Sequence, residues 1–320
     1  MSSVRYPQLR IRSKNELAKR LADKSFSQAA ALALINDALD NFEKYWYDSK
    51  HSETEKEKFI RSAIGTPLGQ LLALIDRRLL KPYDALIPNC IFGGVSGRSH
   101  VAAARQLLGR KRRRTELSLD LKRFFEHIES GRVFAFFHKK TGCSLEASKI
   151  LTRLCCVPLG SKQNPQLKKS VARGFPTSQR LSVWCNVETF MRLRWETMRK
   201  LKGHDARIVV FVDDIGISAS NVTLQEMEAV RDAATTIFAN QGFELHPDKV
   251  QLKQFSAGVE HLGLVLGRNK ISMGRKAVAR EMRLRNSIKQ ASGSKRKKLL
   301  VQRKSYLKYR NQIRAANQSA

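Results

Sequence analysis

Acidic residues are scarce in this chain. Of 320 residues, 28 are Asp or Glu against 60 Lys or Arg, a net charge of +32. Long apolar runs are missing too. None approaches the ~20 residues needed to cross a bilayer, and the first twenty, MSSVRYPQLRIRSKNELAKR, have no apolar core. A membrane span and a secretory signal are therefore not expected. Cysteine is sparse and unpatterned: Cys90, Cys143, Cys155, Cys156 and Cys185 are odd in number and show no CxxC spacing. That excludes a disulfide scaffold and a zinc knuckle, and predicts reduced, mostly buried cytoplasmic thiols. What is present is a normal apolar content of 42%. A chain that can fold and carries this excess of cations is expected to bind a polyanion, nucleic acid first.

Apolar spacing predicts helices over 16–21, 26–42, 69–80 (stopped by Pro82), 144–156 with Ser144 as N-cap, 177–200 and 223–241. The glycine-rich IFGGVSGRS (91–99) predicts tight turns, and 160–174 reads as a polar basic loop. ELSLDL (116–121) reads as a strand, and RIVVFVDDIGIS (207–218) as a hairpin with two aspartates at its tip. The last 46 residues hold fifteen Lys or Arg and the single acid Glu281, as one or two basic helices broken near Gly293.

Acids at strand ends in so basic a chain repel phosphate unless a cation lies between. Asp120 at the end of one strand and Asp213 and Asp214 at a hairpin tip fit a site for two Mg²⁺ ions, which activate a 3′-hydroxyl and stabilise a leaving pyrophosphate. An Asp-Asp pair alone can equally be turn chemistry.

The neighbouring blocks carry a resemblance. LSLDLKRFF (117–125), GFPTSQRLSVWCN (174–186), FVDD (211–214), HPDKVQLK (246–253) and HLGLVL (261–266) resemble, in order, the catalytic blocks of reverse transcriptases, and IFGGVSGRS resembles a fingers segment of bacterial retron-like enzymes. The resemblance covers about residues 60 to 275. It implies an α+β right-hand polymerase: an N-terminal helical region (1–60), fingers (61–115), a palm with an RRM-like sheet (116–274, with a fingers insertion near 130–173) and a basic helical thumb (275–320).

The resemblance also implies roles. Asp120, Asp213, Asp214 and the carbonyl of Leu121 would hold two Mg²⁺ ions. Phe125 would bar a 2′-hydroxyl, with Phe124 facing the other way into the core. Gly174, Pro176, Thr177 and Ser178 would lie under the incoming base, although serine stands at 178 where the family has glycine. Lys249 would donate a proton to pyrophosphate. Arg61 would clamp the triphosphate, although it sits one residue early in the fingers motif. Arg98, Arg110, Arg112, Arg113, Arg114, Arg275 and Lys276 would grip nucleic-acid backbone. The implied partners are a structured non-coding RNA template, a DNA product, deoxynucleotides, and an accessory effector protein or a second copy. The implied setting is cytoplasmic antiphage defence. Two retron elements are altered: Ala103-Ala104-Arg105-Gln106-Leu107 stands in place of Asn-Ala-x-x-His, and His261-Leu262-Gly263 in place of Val-Thr-Gly. Template-independent synthesis, RNA synthesis and a non-catalytic RNA-binding palm are the alternatives. Phe125 argues against ribonucleotide use, and the intact acids against the non-catalytic form.

Overall fold

A computed structural model describes residues 4–53, 55, 57–109 and 113–318. In chain order the elements are α1 (Lys14–Leu21), α2 (Gln28–Asp40), β1 (Tyr47–Asp48), β2 (Arg61–Ser62), α3 (Pro67–Ile75), α4 (His100–Leu107), β3 (Arg114–Asp120), α5 (Ser130–Ala135), α6 (Leu145–Cys155), β4 (Cys156–Gly160) and β5 (Pro165–Val171). There follow α7 (Ser178–Lys200), β6 (Arg207–Phe211), β7 (Asp214–Ser220), α8 (Leu224–Ala239), β8 (Gln251–Gln254), β9 (Val259–His261), β10 (Leu264–Leu266), β11 (Ile271–Met273), α9 (Arg275–Gln290) and α10 (Gly293–Gln318). No helix among the described residues is long and apolar enough to cross a membrane. All five cysteines are free, and all but the half-buried Cys185 are buried.

The chain divides into two compact units, each assembled from separated segments: 1–96, 122–191 and 241–243 in the first, 97–121, 192–240 and 244–320 in the second. In the first, short helices close around Leu17, Ile35, Leu72, Leu151 and Leu154, all fully buried. Their starts are set by hydroxyl caps, which satisfy a backbone N–H that the first turn leaves free. Ser13, Ser27, Thr66 and Ser144 accept from the N–H groups of Glu16, Ala30, Gly69 and Ala147. α3 begins two residues before the predicted start, because Thr66-Pro67 supplies both a cap and a helix-compatible first φ. A second cluster joins Phe124 to Phe190 and Phe243, with ring centroids 6.3 and 5.4 Å away. The stretch 160–174 is corrected: β4 and β5 form an antiparallel hairpin, with an irregularity between Pro158 and Gly160.

In the second unit four antiparallel strands lie in the order β6-β7-β3-β8. β3 is central, pairing Leu117 with Ile217 on one side and with Leu252 on the other. α4 packs on β6 and β7. A three-stranded meander, β11-β10-β9, follows in the chain. α9 and α10 break at Gly293 as predicted, and Gly293 takes φ +55°. Glu281, the one acid of this block, is buried and receives Arg285 (2.9 Å) and Arg310 (2.7 Å), tying α9 to α10. The Asn317 side chain bonds both backbone groups of Ile271 at 2.9 Å and fixes the end of α10 to β11.

Candidate active site

The second unit brings the three aspartates together. Asp120 ends β3 and is the direct cross-strand partner of Asp214, which begins β7. Phe211 and Asp214 close the β6–β7 hairpin, leaving Val212 and Asp213 as a two-residue loop. Such loops need a positive φ at their first central position to match strand twist. Val212 supplies it at +62°, a region that a β-branched residue enters only under strain. The loop is tied to β3, since the Leu121 N–H donates to the Asp213 carbonyl at 3.0 Å.

Three carboxylates so close repel one another. Burial first, then Asp213 and Asp120, push the Asp214 carboxyl up to about 7. Lys249 answers that charge: its Nζ donates to both Asp120 oxygens at 2.8 Å. The His246 N–H donates to the Asp120 carbonyl at 2.8 Å, placing the short turn Pro247–Lys249 beside the acids. Among the described residues no group of three His, Cys, Asp or Glu side chains is set to hold a metal by itself. Magnesium does not need such a cage. It binds through one or two carboxylates together with water and substrate phosphates. Asp120 and Asp214, already drawing a cation in Lys249, are oxygen donors of the right kind.

Gly174, Pro176, Thr177 and Ser178 belong to the first unit. Gly174 is exposed, at φ +104°, and a Cβ there would come within 2.6 Å of the Arg61 carbonyl, so only glycine fits. Pro176 is exposed beside it. Thr177 and Ser178 are buried instead, and Ser178 Oγ donates to the Ala172 carbonyl at 2.5 Å. The Ser178 side chain is thus spent on the backbone before α7, and neither buried side chain faces solvent, which corrects their assignment as base contacts. The opposite-face argument for Phe124 and Phe125 is also corrected. β3 ends at Asp120, residues 122–127 form turns with Arg123 at φ +50°, and the two rings meet edge-on at 5.7 Å. Phe124 is 1% exposed and Phe125 8%, the latter under the Arg173 guanidinium at 5.2 Å. Glu126 holds Arg173 there at 3.0 Å.

Two arginines are corrected. Arg61 is 4% exposed, paired with Asp48, bonded to the Pro158 and Gly160 carbonyls and flanked by Trp46 and Phe59. Desolvation lowers its pKa to about 10. A triphosphate would have to displace Asp48. The Arg114 side chain is 0% exposed, bonded to Asp205 at 2.8 Å and to Ser218, so it holds β3 to its neighbours and cannot reach a phosphate. Arg113, Arg275 and Lys276 are exposed, and Arg98 is half-buried. Arg110 and Arg112 fall outside the described residues.

Sequence reasoning missed a buried pair that joins the strand of Asp120 to β9. Glu116 and His261 meet at 3.1 Å with both side chains almost fully covered. Burial raises Glu116 to about 8 and lowers His261 to about 4, so both are neutral near pH 7. The signal was available in the period of two, which sets Glu116, Ser118 and Asp120 on one face of β3.

No family model matches the chain. It is 23% identical over 160 residues to the retron Ec86 reverse transcriptase of Escherichia coli, a match spanning 50% of this chain and 44% of that protein. A telomerase from Candida albicans, solved with a TWJ fragment of telomeric RNA, superposes on 65% of this chain and 38% of its own at a TM-score of 0.43 and 15% identity, below the level at which two folds are called the same. The chain is an α+β protein distantly similar, over half its length, to a reverse transcriptase.

Proposed function

We propose that the chain is an RNA-directed DNA polymerase of retron-like type. The observation that carries the reading is the cross-strand pairing of Asp120 with Asp214, beside Asp213 on a strained two-residue turn. In this reading β3 carries the palm acid, α9 and α10 form the thumb, and the acids together with the Leu121 carbonyl hold two Mg²⁺ ions. Bound there, the ions supply charge neutralisation of a triphosphate and activation of a 3′-hydroxyl. The residues of the chain do the rest. Asp120 and Asp214 are held opposite each other by β-ladder bonds, so no rearrangement is needed to converge them. Lys249, whose Nζ reaches both Asp120 oxygens, would be the group that donates a proton to the departing pyrophosphate. Phe125, braced by Arg173 and Phe124, is rigid enough to discriminate against a 2′-hydroxyl. A structured non-coding RNA as template, and a role in antiphage defence with an effector protein, belong to the same proposal and rest on the resemblance.

Primer extension on an RNA template with Mg²⁺ and deoxynucleotides tests it. Asp213→Ala is expected to abolish incorporation while RNA binding stays near wild type, because the acids and the basic surface are separate. Retained synthesis by that variant refutes the assignment. Incorporation of ribonucleotides in preference to deoxynucleotides by the wild type would favour the RNA-synthesising alternative.

A further inference from the structure

A cavity of about 500 Å³ opens in the second unit at the end of β3 away from the acids. Its polar lining includes Arg113 and Arg268, the amides of Asn221 and Gln254, and the hydroxyls of Thr115 and Ser256, while Val222 and Phe255 add apolar wall. Among the described residues no carboxylate lines it. Both arginines are exposed, and neither has a carboxylate partner among the described residues. Their backbones are fixed while their side chains stay available. The Asn221 N–H, at a left-handed residue (φ +53°), donates to the Arg113 carbonyl at 3.0 Å. Arg268 sits at the tip of the β10–β11 hairpin, which the Gly267 N–H closes onto the Lys270 carbonyl at 2.9 Å.

We propose that this cavity binds backbone phosphates of the RNA partner, as a second nucleic-acid site distinct from the polymerising centre. Two free guanidinium forks with hydroxyl and amide donors between them match a phosphodiester, which offers acceptor oxygens on several sides and no hydrogen to give. Position excludes the reacting nucleotide as the occupant. Arg114 and Asp120 stand at opposite ends of β3, six residue steps or roughly 20 Å apart, too far for a triphosphate reacting at the acids. Charge in the sequence favours a continuous polyanion over a small anion, because Arg113 directly follows the basic residues 110–112. Contacts of this kind fix where an RNA lies without reading its bases. The site thus holds RNA whose reacting end is elsewhere, and the inference rests on the polymerase reading only for what that RNA is used for.

The test is a salt titration of binding to a fluorescein-labelled, mixed-sequence RNA oligonucleotide, with the full chain carrying Asp213→Ala so that no synthesis intervenes. Adding Arg113→Ala and Arg268→Ala is expected to weaken binding roughly tenfold near 0.1 M salt and to lower the slope of log K against log salt by about 1.4. Arg113→Lys with Arg268→Lys, which keeps both charges, is expected to keep most of the slope. A matched melting temperature for all forms is the folding control. An unchanged slope in the double alanine variant overturns the proposal, as does loss of mononucleotide binding without any change in RNA binding. Failure of the polymerase reading looks different: the wild type makes no DNA, yet the slope still drops when the two arginines are removed.

Discussion

Phe124 and Phe125 are neighbours with different duties, and the difference is measurable. Phe124 is enclosed by Phe190 and Phe243, so Phe124→Ala is expected to cost about 3–5 kcal/mol of stability, read as a lower denaturation midpoint. Phe125→Ala is expected to show instead in the ratio of deoxy- to ribonucleotide incorporation, since its ring is the one braced from outside by Arg173. Equal discrimination in wild type and variant would remove Phe125 from that role. At Gly174 any side chain meets the Arg61 carbonyl, so Gly174→Ala is expected to lower both stability and incorporation by displacing the loop before α7. Residues whose placement follows from the order of short motifs were legible in the sequence: Asp120 pairs with Asp214, and Lys249 reaches Asp120. Residues whose fate depends on a distant partner were not. Arg61 is claimed by Asp48 and by a carbonyl of Gly160, and Arg114 by Asp205, 91 positions away. Nothing local distinguishes such an arginine from one that meets phosphate.

β3 carries more than Asp120. Glu116, facing His261, Ser118 and the cross-strand Lys253, is held protonated by burial, with its pKa raised from 4.5 to about 8. The folded chain therefore keeps a proton that the unfolded chain releases, and stability falls as pH rises from about 4.5 towards 8. His261 acts in the opposite window: lowered from 6.5 to about 4, it costs stability as pH falls between those values. Glu116→Gln keeps the shape and cannot ionise. Its melting temperature is expected to exceed that of wild type by several degrees at pH 8 and to match it near pH 5, and a constant difference across that range would refute the pair's neutrality. The longer helices were readable from spacing and caps, while the short α4 and α5 were not. α8 even carries a capping box, Thr223 with Glu226, that marks its start. The β4–β5 hairpin was not readable, because Pro165–Lys169 is exposed on both faces and so has no apolar alternation to detect.

For the molecule as a whole, charge decides how it meets its partner. Of the net +32, +14 lies in the last 46 residues, on two helices where Ile313 is the buried residue of the longer one. RNA binding by the wild type is expected to weaken by about a thousandfold or more between 50 and 200 mM salt, as for proteins neutralising several phosphates, and a shallow salt response would count against backbone binding. The interleaving of the two units has a different consequence, for biosynthesis. The chain passes from one unit to the other after residues 96, 121, 191, 240 and 243. Phe243, which completes the cluster around Phe124, leaves the ribosome only after all of α7 to α8 has been made. A nascent chain cannot finish its N-terminal unit first, in the usual order of domains. It must carry an open apolar cluster for more than a hundred codons, so chains interrupted before residue 243 should be found with chaperones or in inclusion bodies, and splitting the gene at any single point should yield no soluble half.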